Sequence, residues 1–169
     1  MRRRIIVLAI AVLAAGLLVA SLAGASSGKK MFKANLNSYN EVPAVSSNGF
    51  GQLRISIDDD AQTISYELSY GGLNATATAA HIHFGQRNVN GGVSAFLCGG
   101  GGKPACPVGT GGEETVMGVI TAADVIGPAG QGIAAGEFDE LTRAIRAGVT
   151  YGNVHTTAHP GGEIRNQLR

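Results

Sequence analysis

Gly51-Gln52-Leu53-Arg54-Ile55-Ser56-Ile57-Asp58-Asp59-Asp60-Ala61-Gln62-Thr63-Ile64-Ser65-Tyr66-Glu67-Leu68-Ser69-Tyr70 decides the fold class. Leu53, Ile55 and Ile57 alternate with Arg54 and Ser56, and Ile64, Tyr66, Leu68 and Tyr70 alternate with small or charged residues. A period of two places one apolar row on each of two half-buried strands. The aspartates between them favour a turn, so the stretch is expected to be an antiparallel hairpin. The triplet Asp58-Asp59-Asp60 lacks the spaced ligands of a calcium loop and reads as a solvated turn.

Working outward, Phe32–Asn37 alternates as a first strand, and Glu41–Val45 is extended around Pro43. Ala77–Phe84, Val93–Cys98 and Thr115–Ile120 follow as strands, with a glycine-rich loop through Gly112 and a helical turn at Ala122–Val125. A helix is expected over Glu137–Arg146. Phe138, Leu141, Ala144 and Ile145 share one face, acids open it, basic residues close it, and Gly148 supplies a left-handed cap. Val149–Thr156 and Gly162–Leu168 are the closing strands. About eight short strands and one short helix near the C-terminal end predict an all-β fold. The form expected is an antiparallel Greek-key or immunoglobulin-like β-sandwich.

The N-terminal residues serve a different purpose. Arg2-Arg3-Arg4 precedes an apolar run, Ile5–Ala20, which ends at Ala23-Gly24-Ala25. A basic start, an apolar middle and small residues before a cut are the parts of a signal peptide, here 1–25 with cleavage before Ser26. An uncleaved anchor is the other reading, and the one route to a membrane. Residues 26–31 form a linker and 32–169 one domain. Both readings place the domain outside the cytoplasm, secreted or in the cell envelope. Without the three arginines of the signal, ten basic residues face twelve acidic ones. No basic stripe remains for nucleic acid. Cys98 and Cys106 flank a flexible loop and read as a disulfide suited to an oxidising compartment.

Three segments in order resemble the CHRD domain, named for chordin and found also in bacterial secreted proteins. They are Asn40-Glu41-Val42-Pro43, Ala79-Ala80-His81-Ile82-His83-Phe84-Gly85, and Asn153-Val154-His155-Thr156 with Pro160-Gly161-Gly162-Glu163-Ile164-Arg165-Asn166-Gln167-Leu168. Two positions depart from that pattern. Gly152 stands where an apolar residue is usual, and Asn166 where glycine is usual. The resemblance implies an extracytoplasmic binding or structural module without an established enzymatic activity. The cysteine-rich modules to which growth-factor capture is chiefly attributed in chordin are not in this sequence.

All four histidines lie in or beside these segments. His81 and His83, at i and i+2 of a strand, face one side, and His155 from a neighbouring strand would complete a three-nitrogen set for copper or zinc. His159 is a further candidate ligand. His81-Ile82-His83-Phe84-Gly85 is similar to the copper-ligand strand of copper-zinc superoxide dismutase, but no zinc loop or bridging ligand of that enzyme is recognisable. The alternative is a polar network in which the imidazoles bond to backbone carbonyls or to Glu41 or Glu163. Three nitrogens about 3–3.5 Å apart would favour metal, whose binding would weaken as pH falls through about 6.5. Glu163 and Arg165 share a face by spacing and read as a structural ion pair. No nucleophile elbow or phosphate loop is present in the sequence, so an enzyme is the lesser expectation.

Overall fold

The computed structural model describes residues 30–169. The segment expected to be the signal peptide and most of the linker lie outside the described residues. Eight antiparallel strands form in chain order: β1 (Met31–Asn37), β2 (Phe50–Asp58), β3 (Thr63–Gly71), β4 (Ala77–Phe84), β5 (Gly92–Cys98), β6 (Glu114–Ile120), β7 (Thr150–Thr156) and β8 (Ile164–Gln167). One helix, α1 (Phe138–Arg146), precedes β7.

The deciding hairpin is β2–β3, with Leu53 opposite Leu68, Ile55 opposite Tyr66 and Ile57 opposite Ile64. Its turn is held by the Asp58 carboxylate, which accepts from the backbone N–H groups of Asp60 and Ala61. Asp59 binds the Arg146 guanidinium at 2.7 Å, tying the turn to α1. As the apolar spacing requires, α1 buries Phe138, Leu141, Ala144 and Ile145, and Gly148 takes φ 69° after its end.

The sandwich takes the form of one continuous sheet in the order β5-β4-β7-β8-β1-β2-β3-β6. It folds over so that its two edges, β5 and β6, approach each other. The Tyr66 hydroxyl on β3 donates to the Leu97 carbonyl on β5 at 2.7 Å, closing the barrel-like interior. Leu53, Ile57, Ile64, Leu68, Ile82, Leu97, Val154 and Ile164 fill that interior with essentially no exposure. Each such side chain contributes roughly 1.5–3 kcal/mol by leaving water. Cys98 and Cys106 are disulfide-bonded.

Glu41–Val45 runs outside the strands as a crossing segment, entered extended at Glu41 from a short 3-10 turn at Ser38–Asn40 that the Asn37 side chain caps. One local expectation needs correction. The last strand is shorter than Gly162–Leu168, because pairing begins only at Ile164. Gly152 and Asn166, the two departures from the family pattern, stand directly opposite each other across β7 and β8. A Cβ on Gly152 would come within 2.8 Å of Leu53 Cδ2, so glycine there lets β2 pack closely across the interior. Asn166 donates to the Asn35 carbonyl of β1 at 2.7 Å.

Candidate metal centre

Ala80 and Ile82 point into the barrel, so alternation turns His81 and His83 to the outer side of β4. On β7, Val154 is an inward residue, which leaves Tyr151, Asn153 and His155 outward. The register sets Ala79 opposite His155, His81 opposite Asn153 and His83 opposite Tyr151. His155 is therefore the diagonal neighbour of His81. The β4–β5 pairing is irregular at Ala80/His81 and again at Ile82/His83, the sort of bulge that re-aims side chains at a site.

The structure brings three of the four histidines together. One nitrogen from each of His81, His83 and His155 lies within 4.8 Å of the others. That exceeds the spacing of about 3–3.5 Å expected to favour metal, so the three nitrogens are not already gathered around one point. His159 is not in this group; its Nε2 faces the Asn74 amide at 3.4 Å, and its backbone holds the turn before β8.

Hydrogen bonds fix the tautomers. His83 Nδ1 lies 3.0 Å from the Gly91 carbonyl and His155 Nδ1 lies 3.0 Å from the Pro160 carbonyl. A carbonyl only accepts, so both Nδ1 atoms carry hydrogen and both Nε2 atoms present lone pairs. His81 Nδ1 is 3.0 Å from His155 Nε2 and must be the donor of that pair. His81 Nε2 and His83 Nε2 are then buried acceptors with no hydrogen-bond partner. Such orphans cost free energy unless something binds them.

Burial keeps these rings neutral. It lowers His81 to about 3, with His155 and His83 nearby adding to the effect. It lowers His83 to about 4, against the bond to Gly91, with His155 and Arg165 pushing the same way as burial. Burial also lowers His155, opposed by its bond to Pro160. Neutral imidazoles with Nδ1–H held by carbonyls are the form in which histidine ligates metal.

The surrounding shell is aromatic and polar. Phe96 meets His81 edge-on with centroids 4.4 Å apart. Tyr151 stacks flat on His83, 4.7 Å away, and its hydroxyl accepts from the Gly91 N–H at 3.1 Å. Gly91 allows no side chain, since a Cβ there would lie 1.8 Å from the Phe84 carbonyl oxygen. Asn153 donates to Glu41 at 2.6 Å, and burial raises Glu41 to about 7 despite the opposing influence of Arg165 and Asn153.

The ion pair expected between Glu163 and Arg165 does not form. Glu163 precedes β8 and accepts from Thr156 Oγ1 and the Asn74 N–H. Arg165 donates to Asn90 and the Val89 carbonyl and lies 3.7 Å over the Tyr151 ring centroid. Each buried charge has its own partners, drawn from distant segments. Neither Glu41 nor Glu163 bonds to a histidine; backbone carbonyls fill that role. Tyr151 and Gly91 went unassigned in the sequence, though Tyr151 lies four residues before His155.

Among the described residues, no helix is long and apolar enough to cross a membrane. No curated protein and no solved structure matches the chain. The CHRD domain profile matches residues 32–168, nearly all of the described chain. With its three motif segments joined through the Glu41–Asn153 bond and the β4–β7–β8 ladders, the chain belongs to the CHRD domain family.

Proposed function

We propose that this chain is an exported binding module whose ligand is a copper or zinc ion held by His81, His83 and His155. The orphaned, buried Nε2 atoms of His81 and His83 carry this reading, because a cation can take the lone pairs that no protein donor reaches. The basic and apolar N-terminal pattern and the disulfide support export. A purely structural polar network is the second reading, favoured by the bond from His81 to His155, which an ion on His155 Nε2 must displace.

Titration calorimetry of the folded, metal-free domain with copper and zinc at neutral pH separates the two. A bound ion should raise the melting temperature by mass action, and His83→Ala should abolish that rise. His159→Ala should leave it in place, since His159 stands apart from the group. The depressed values of His81 and His83 move proton competition to about pH 4, so binding should hold between pH 7 and pH 5.5 instead of weakening near 6.5. No heat of binding and an unchanged melting curve would leave the polar network as the role of the three rings.

A further inference from the structure

The charges around the three imidazoles say which ion they favour. The ligating group holds no carboxylate; its members are three histidines. The carboxylates of the surrounding shell are turned elsewhere, Glu41 to Asn153 and Glu163 to Thr156 and Asn74. A fixed cation stands close instead. Tyr151 lies between His83 on its β4 side and Arg165 on its β8 side, with the tyrosine and imidazole planes within 2° and the guanidinium carbon 3.7 Å from the ring centroid. Arg165 is 2% exposed and held by Asn90 and Val89, so it cannot swing into solvent when an ion arrives.

We infer that this centre, on the reading that it binds metal, selects cuprous copper over Cu(II) and Zn(II). Neutral ligands do not offset the ion's charge, so every added unit of charge is felt by Arg165. At a separation on the order of 10 Å and an effective dielectric near 20, one unit changes affinity by roughly tenfold. Coordination number acts in the same direction. Three nitrogens satisfy a d10 cuprous ion, whereas the divalent ions take a fourth ligand. Among the described residues no fourth His, Cys, Asp or Glu joins the group, so the three imidazoles alone do not complete a four-coordinate set.

Paired competition titrations of the purified folded protein test this, with Cu(I) measured anaerobically against bicinchoninate and Cu(II) and Zn(II) against chelators of known affinity. The wild-type protein should hold Cu(I) at least tenfold tighter than Cu(II). Arg165→Gln should lower the Cu(I)-to-Cu(II) affinity ratio about tenfold, a fall of about 59 mV in the potential of the bound copper. At pH 8, where the Glu41 carboxylate is ionised, Glu41→Gln should move the ratio the other way by removing a negative charge, an opposition that a merely structural role would not produce. Arg165→Lys keeps the charge and should keep the ratio. Should Arg165→Gln fail to fold, the wild-type ratio and the Glu41→Gln shift still decide. Cu(II) or Zn(II) binding tighter than Cu(I) overturns the selectivity and leaves the three-histidine site standing. Failure of all three ions to bind ends the metal reading, and this inference with it.

Discussion

The two halves of the sheet treat their outer faces differently. On β1 the burial alternates along all seven residues, and β2 behaves the same way over its last six. Their outer side chains are solvated, with Arg54 and Glu67 paired at 3.0 Å in the open. On β7, six of seven positions are buried, and β4 is buried at His81, Ile82 and His83 in succession. The second half must therefore be covered from outside, and segments carrying Glu41, Asn90, Gly91 and Pro160 do so. A polar side chain under such a cover needs a fixed partner. Hence the first half presents an ordinary surface, while the second concentrates neutral histidines and buried ionisable side chains held by neutral partners.

The largest test of this contrast replaces an arginine in each half. Arg165→Ala removes a buried cation that serves Asn90, Val89 and Tyr151, and should cost about 1.5–3 kcal/mol for each of its two hydrogen bonds. Arg54→Ala breaks an exposed pair and should cost under about 1 kcal/mol. Denaturation midpoints of the two variants give the comparison directly, and equal losses would erase the distinction between the halves.

An effect of a few kcal/mol should come from pH. His81 and His83 titrate at about 3 and about 4 in the fold against an ordinary 6.5. Their neutral burial contributes stability that is complete above about 6.5 and is lost as pH falls toward 4 and 3. Glu41 has the opposite sign. Raised from 4.5 to about 7, it contributes stability complete below about 4.5 and lost as pH rises through 7. Melting temperatures from pH 8 to pH 4 should fall on the acid side, and Glu41→Gln should lift only the alkaline side. A wild-type curve flat from 6.5 to 4 would falsify the burial of the histidine rings.

The smallest of the three shifts sharpens the contrast at the edge of the covered half. Reducing Cys98–Cys106 opens a short loop that lies beside Phe96, and should cost about 2–3 kcal/mol. Calorimetry with and without reductant measures it. A loss near zero would mean that the loop's own bonds, from Gly99 N–H to the Pro104 carbonyl and from Lys103 N–H to the Gly100 carbonyl, already hold it.

How far the sequence could be read follows the same division. The β2–β3 hairpin was legible because one face is wet, and alternation records that directly. The helix was legible because Phe138, Leu141, Ala144 and Ile145 repeat at helical spacing. His81 and His83 could be placed on one face by spacing, and His155 came from the neighbouring motif. The Glu163–Arg165 pair misled because spacing of two implies a shared face only inside a strand, and β8 starts at Ile164. Their true partners, Asn74 and Thr156 for one and Asn90 and Val89 for the other, depend on how distant loops fold over the sheet. Glu41 was visible in its motif, but its partner Asn153 lies 112 residues away.

The order of strands also bears on when the domain can form. β7 and β8, which follow the other six described strands in the chain, lie between β4 and β1 in the middle of the sheet. During synthesis, β1–β2–β3 with β6, and β4 with β5, can pair by short or moderate closures. The two groups share no strand ladder until residues 150–167 arrive. A nascent chain lacking that segment leaves two incomplete sheets with open edges and an apolar interior exposed between them. Such high contact order implies slow closure, with His155 delivered to His81 and His83 in the last step.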